Sequence, residues 1–347
     1  MTRTMTAALL REHGDVSAIN LEQVPVPKPS TGEVRLQVHA CALNWLDIGV
    51  RRGPKFGPVP LPLICGGDIA GVVESLGPGV ERWRLGDEVI VYPLISCGNC
   101  EACRDGEPTT CPEHRIIGEH LDGGLAEFIV VPADNLLSKP HNLSLTEAAT
   151  LPVVLMTSWH MLVHIGDVKR GEDVLILGAG GGVASMSIQV ARHLGARVFA
   201  TTSTSHKAAS ARNLGAAEVF DYRQADWGEG VRSATEGRGV DLVQDNVGAA
   251  TWASGLSVLA SNGRLVSCGS HTGATTQVEI PQIYHRQLRI LGSNGGTYED
   301  LVSGLSLVNE GHIRPVIDSI LPLGRIREAH RLLEDGRHFG KIVIEVV

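Results

Sequence analysis

The stretch Asp173-Val-Leu-Ile-Leu-Gly178-Ala-Gly180-Gly181-Gly182-Val183-Ala184 decides the fold. Val174 to Leu177 is an apolar run that reads as a buried strand. The glycines follow at once, and Ser185–Leu194 has a helical pattern closed by Gly195. Strand, glycine turn and helix in that order let the backbone approach a pyrophosphate while the helix N-terminus offers N–H donors. A glycine run alone is often only a tight turn, and the flanking strand and helix favour the dinucleotide reading. The chain carries no charge from Val174 to Ala191, but glycines at its centre argue against a membrane span.

Downstream, strand-like runs recur at Arg197–Thr201, Glu218–Phe220, Asp241–Asp245, Arg264–Cys268 and Arg289–Leu291. Helical patterns such as His206–Leu214 before Gly215 lie between several of them. Six strands with helix-length connections predict an α/β fold built on a doubly wound parallel sheet. Upstream, Ser144 and Glu147 form a capping box that opens a helix-like stretch reaching about Ile165. Before that the chain is rich in Pro and Gly, with short apolar runs at Val34–Val38, Gly71–Glu74, Glu88–Val91 and Phe128–Val131. Such punctuation predicts a compact β-rich domain. The tail ends in the strand-like Lys341–Val347, and a length of 347 residues suits two domains.

Lys and Arg number 30 against 38 Asp and Glu, a net charge of −8 that has the wrong sign for a nucleic-acid binder. A hydrophobic share of 43% excludes a disordered chain. The apolar stretch Ala7 to Leu10 is stopped by Arg11 and is too short for a secretory signal. Seven cysteines, an odd number with four in one loop, argue for a metal in a reducing cytoplasm rather than a disulfide framework.

Those four are Cys97, Cys100, Cys103 and Cys111. Four thiolates in one loop can surround a tetrahedral Zn²⁺, and a site closed by protein ligands is structural. An iron–sulfur cluster uses related spacing, and unligated loop thiols are the plain alternative. For the nucleotide, the second strand ends Ala200-Thr201-Thr202-Ser203, without the acid that NAD sites place there. Hydroxyls at Thr202 and Ser203, with His206, Lys207 and Tyr222-Arg223 nearby, suit a 2′-phosphate. NADP(H) is therefore expected, with NAD(H) as the alternative and a solvated loop as the plain reading. Cys41 and Cys65 with Asp68 could form a displaced metal site, but small buried thiols are the favoured reading. His160 and His164 share a helix face at i,i+4, yet Met161 stands where a zinc protease has Glu, so no metal is assigned to them. Cys268 reads as packing.

Taken together, these features resemble the medium-chain dehydrogenase/reductase superfamily, in particular its zinc-containing quinone-oxidoreductase-like and alcohol-dehydrogenase-like members. The resemblance covers essentially the whole chain. It rests on Gly66-Gly67-Asp68 with Gly71, Gly77 and Val80, on Gly86-Asp87-Glu88-Val89, and on the cysteine lobe. It continues through Leu151-Pro152, Thr157-Ser-Trp159, the glycine loop, Asp245-Asn246-Val247-Gly248 and Phe339-Gly340-Lys341. The resemblance implies a GroES-like catalytic domain over 1–155 and 300–347, with a zinc lobe at about 95–113, and a Rossmann domain over 156–299. It implies a homodimer, a small-molecule substrate and one structural zinc. It also implies cofactor contacts from Thr157, Gly178, Gly180, Gly181, Gly182, Val183, Thr202, Ser203, Lys207, Tyr222, Asn246, Gly269 and Lys341. Lys341 is expected at the phosphates and Asn44 near the nicotinamide.

The departures matter more than the matches. The superfamily's zinc dehydrogenases hold a catalytic zinc on a Cys, a His and a further Cys or Glu. Here Asn44 takes the Cys position, Gly67 the His position and Asp68 that of the neighbouring Glu, and Val153-Val154-Leu155-Met156 holds no ligand. An open zinc site needs about three protein ligands. The expectation is hydride transfer to a conjugated enone or quinone without catalytic zinc, where the developing enolate needs a hydrogen-bond donor. Asn44 is the candidate donor, with Asp47 behind it. Alternatively, Asn44 only bonds loop backbone. The competing functions are an alcohol or aldehyde dehydrogenase and a non-catalytic nucleotide-binding or structural protein.

Overall fold

The computed structural model describes residues 3–53 and 58–347. The chain divides into two compact units, 1–153 with 317–347, and 154–316.

The first unit is β-rich. Its largest sheet runs in the order Leu136–Ser138, Glu88–Val91, Asp68–Leu76, Glu33–Ala42, Lys341–Glu345 and Ile317–Pro322, with Phe128–Pro132 also on Glu33–Ala42. Along Glu33–Ala42, Val34, Leu36 and Val38 are fully buried and alternate with more exposed residues, as a strand with one core face requires. Gly71 sits where the partner backbone comes close: a Cβ there would stand 2.3 Å from the Gln37 carbonyl oxygen. The ladder shifts register beside it, between Val38 and Ala40.

Register brings distant residues together. Ala42 pairs with Asp68 on one side and with Val343 on the other. Leu43 N–H then donates to the Ile342 carbonyl at 2.9 Å. One step further along these antiparallel strands, Asn44 and Lys341 come level. A chain end three hundred residues away thus reaches the start of the helix Trp45–Arg52.

The second unit is a six-stranded parallel sheet. Its strands, in chain order, are Asp173–Ile176, Arg197–Thr202, Glu218–Asp221, Val240–Asp245, Leu259–Ser267 and Arg289–Gly292. In space they run third, second, first, fourth, fifth, sixth. That is the doubly wound order, whose switch point lies between the first and fourth strands. The fifth strand starts at Leu259, earlier than the expected Arg264.

Two expectations need correction. The helix-like stretch from Ser144 is not continuous: it is a short helix Leu145–Ala148, a helix Pro152–Trp159 and a π-helical turn His160–Ile165. The capping box holds, with Ser144 N–H on Glu147 Oε2 at 2.8 Å. Pro152 has no N–H to continue the preceding turn and starts the next helix instead. The second domain boundary falls at 316/317 rather than 299/300. The helix Tyr298–Asn309 stays with the second unit because it packs there: a Cβ on Gly304 would stand 2.6 Å from Leu155 Cγ.

Candidate functional site

Asn44 caps the helix Trp45–Arg52 from extended backbone. Its Nδ2 donates to Asp68 Oδ2 at 2.8 Å, and its Oδ1 accepts from Lys341 Nζ at 2.5 Å. Lys341 Nζ also donates to Asp68 Oδ2 at 2.7 Å, with Lys341 4% and Asp68 0% exposed. An ammonium has only donors and a carboxylate only acceptors, so these partners fix which end of the amide is oxygen. One Nδ2 hydrogen points at Asp68, and among the described residues the second has no acceptor. Asp68 Oδ1 is held by Val153 N–H at 2.6 Å.

Asp47 stands behind this group. Its Oδ2 accepts Asn44 N–H at 2.7 Å and its Oδ1 accepts Gly66 N–H at 3.0 Å. Burial pushes its carboxyl up to about 6, against the lowering effect of those bonds and of Lys341. The far end of the helix is anchored by Arg51, 1% exposed, which is ion-paired to Glu334 and donates to His330 Nδ1 at 3.2 Å. Burial, then the Arg51 charge, lowers His330 to about 3, so the imidazole stays neutral.

The residues around Asn44 do not suit a catalytic metal. The donor set is one amide and one carboxylate, and a cation, Lys341, already lies on both. A Cβ at Gly67 would stand 2.9 Å from the Ile117 carbonyl oxygen, so an imidazole there would have to displace backbone. Cys41 and Cys65 are buried, and burial raises both thiols, which fits core packing rather than ligation.

The cysteine lobe is different. Gly98, at φ +72°, turns the chain so that Cys100 N–H reaches Cys97 Sγ at 3.4 Å, and Cys100 Sγ accepts Cys103 N–H at 3.5 Å. Sulfur separations are 3.9 Å for Cys97–Cys103 and 3.6 Å for Cys97–Cys111, and all four sulfurs lie within 4.8 Å of one another. Thiolates on one zinc at about 2.3 Å stand roughly 3.8 Å apart. The lobe therefore fits a tetrahedral ion without rearrangement.

At the nucleotide loop, Gly178 has φ +72°, and its N–H donates to Thr201 Oγ1 at 3.1 Å. Ala179 N–H donates to the Thr201 carbonyl at 2.8 Å. Gly181 caps the helix Gly182–His193 with no side chain to occupy the first-turn N–H groups, which leaves an anion site. Val183, in that first turn, accepts Ser158 Oγ on its carbonyl at 3.0 Å, and Thr157 beside Ser158 is 6% exposed. After the fourth strand, Asp245 holds the next loop by accepting Val247 N–H at 2.7 Å and Gly248 N–H at 2.9 Å. A Cβ on Gly269 would meet the Asn246 carbonyl oxygen at 2.3 Å, so the two loops touch backbone to backbone. At the end of the second strand, Thr202 is 3% exposed and Thr204 caps the helix Ser205–Leu214. Tyr222 is 46% exposed, and its N–H is on the Thr202 carbonyl at 3.1 Å.

Two residues expected at the cofactor, Lys341 and Lys207, are largely buried. Lys341 is ion-paired with Asp68. Lys207 is 7% exposed, and Arg223 is bound bidentately by Asp221. The sequence marked Asp68 beside a lost ligand position and as part of a conceivable displaced metal site, but not its pairing with Lys341. The signal was present only as a Gly-Lys at the start of a terminal strand.

Residues 30–141 match the family described as alcohol dehydrogenase GroES-like domain, and residues 182–310 match zinc-binding dehydrogenase. An NAD-dependent alcohol dehydrogenase of Sulfolobus acidocaldarius is 31% identical over 99% of this chain and 100% of its own. The chain belongs to the medium-chain dehydrogenase/reductase superfamily. It is thus an oxidoreductase. An acryloyl-coenzyme A reductase of Sulfurisphaera tokodaii is 29% identical, covering 96% of this chain and 98% of that protein. Among solved structures, an NAD-dependent alcohol dehydrogenase is 41% identical, with a TM-score of 0.93 over 99% of this chain and 100% of that one. Superfamily membership accounts for both units, and the likeness extends to dehydrogenases and reductases alike.

Proposed function

We propose that this oxidoreductase reduces a carbon–carbon double bond conjugated to a carbonyl, or a quinone, with NADP(H) and without a catalytic zinc. The observation that carries the reading is the Asn44 amide clamped between Lys341 and Asp68 where a metal ligand would otherwise stand. A nicotinamide held at the nucleotide loop would supply the hydride. As hydride reaches the electrophilic carbon, the electron pair of the double bond moves onto the carbonyl oxygen. Asn44 holds its free Nδ2 hydrogen toward that oxygen. Lys341 polarises the amide through Oδ1 and strengthens the donor. The α-carbon takes its proton from water. A simple alkoxide has no such delocalisation and depends on a Lewis acid.

Cys97, Cys100, Cys103 and Cys111 are read as a structural zinc site. The loop of Gly178, Gly180, Gly181 and Gly182 would hold the pyrophosphate on the helix N-terminus. Thr157, Val183, Asn246, Gly269 and Tyr222 are read as further cofactor contacts. For the 2′-phosphate the support is the absence of a carboxylate at Thr202-Ser203 and the hydroxyls before the helix Ser205–Leu214. Lys207, in the first turn of that helix, is read with them. Thr202→Asp should raise the NADPH KM about 10- to 100-fold, the worth of a charge-assisted contact. Tighter binding of NADH than NADPH by the wild type overturns the cofactor assignment. The protein is further read as a cytoplasmic homodimer acting on a small molecule. A single-chain mass by light scattering would reject the dimer.

The names of its relatives favour a second reading, an alcohol dehydrogenase. The deciding measurement compares NADPH-dependent reduction of a simple enone and a quinone with NADP⁺-dependent oxidation of a primary alcohol. Alcohol oxidation with no reduction of either acceptor rejects the reductase.

A further inference from the structure

Among the described residues, a second group of metal-type side chains lies in the second unit, apart from the cysteine lobe: His160, His164 and Asp300. The two histidines stand on the π-helical turn His160–Ile165, with ring centroids 4.5 Å apart. Asp300 arrives from the helix Tyr298–Asn309. His160 Nδ1 is 2.7 Å from Asp300 Oδ2, and His164 Nδ1 is 3.5 Å from Asp300 Oδ1. One ligand atom from each lies within 4.8 Å of the other two.

We propose that His160, His164 and Asp300 form a divalent transition-metal site that clamps the π-helical turn to the helix Tyr298–Asn309. Two imidazoles and a carboxylate suit Zn²⁺, Co²⁺ or Ni²⁺, whereas Mg²⁺ and Ca²⁺ take oxygen ligands. Two ligands at about 2.1 Å from a tetrahedral ion stand roughly 3.4 Å apart, close to the separation already present between His164 and Asp300. The carboxylate is oriented beforehand. Asp300 Oδ2 accepts Thr297 N–H at 2.8 Å, and Asp300 N–H donates to Thr297 Oγ1 at 3.1 Å. His160 and Asp300 are buried while the His164 side chain is 33% exposed, which gives an ion an entry path and room for water ligands. Widened helical turns of this kind recur at functional sites.

The test uses the full-length protein with its cysteine lobe zinc-loaded. Co²⁺ is titrated into wild type, His164→Ala and Asp300→Asn, and metal is counted after desalting. The expected result is one extra Co²⁺ per wild-type chain at micromolar concentration. Its visible bands should be those of nitrogen and oxygen ligands, with no thiolate charge-transfer band. Affinity should fall at least tenfold in both variants, and Cys103→Ser should retain the uptake. His164→Gln, which keeps size and polarity, should behave as His164→Ala. Equal uptake by wild type and His164→Ala, uptake only at millimolar Co²⁺, or a purely thiolate spectrum each overturns the site.

Discussion

The cysteine lobe and the Asn44 cluster are built in opposite ways. The lobe draws four thiols from one loop, 97–111, and its geometry follows from a glycine turn and two short N–H···S contacts. The Asn44 cluster draws an amide, a carboxylate and an ammonium from positions 44, 68 and 341, and strand register alone brings them level. In the lobe only an added cation can neutralise four thiolates. In the cluster the positive charge is a side chain of the protein itself. Of two clusters in one sheet-rich unit, one thus offers a metal-type set of four thiols, and the other pairs its buried carboxylate with a lysine.

The sharpest break between them is in metal content. Cys103→Ser should remove one zinc per chain and, with it, binding free energy on the order of 10 kcal/mol that folds the lobe. Lys341→Met should remove none, by elemental analysis of both variants. Lys341→Met should instead destabilise the fold by about 3–5 kcal/mol in denaturant titration, because Asp68 keeps a buried charge without its partner. Asp68→Asn added to Lys341→Met should restore most of that loss. If Lys341→Met is as stable as wild type, the ion pair is not what holds the cluster. Asn44→Ala should lower kcat roughly 100-fold with little change in cofactor binding, the effect of losing one preorganised donor. A change confined to stability would return Asn44 to a purely structural role.

The smallest effect concerns Asp47. Burial raises its folded carboxyl to about 6, above the ordinary 3.8, so between these values the folded protein binds more protons than the unfolded chain. Its contribution to stability is therefore largest at low pH and is lost as pH rises through about 6. Wild type should gain about 1 kcal/mol on Asp47→Asn between pH 7 and pH 5, measured by urea unfolding of both at each pH. A difference that does not move with pH would show that Asp47 ionises at its ordinary value.

Much of this was legible in the residues. The apolar run before Gly178 and the recurrence of strands and helices after it forecast the parallel sheet, because strand and helix periods are local. The cysteine spacing forecast the lobe for the same reason. Asn44 was singled out because it departed from an expected pattern, but its pairing with Lys341 was not legible. Lys341 read as a phosphate ligand because a lysine's sequence neighbours do not reveal which buried carboxylate its long side chain will reach. The pair His160 and His164 was visible, but the carboxylate that joins them comes from residue 300.

The sequence by itself determined the elements, the glycine turn at the nucleotide loop and the four-thiol lobe, all set by interactions within a few residues. Only the tertiary structure decided which charges share a burial site. The ladders pairing Ala42 with Asp68 and with Val343 carry Lys341 to Asn44, and the packing of Tyr298–Asn309 carries Asp300 to His160. A charge removed from water must meet its opposite wherever the chain places one, and that meeting is a property of register and packing rather than of spacing along the sequence.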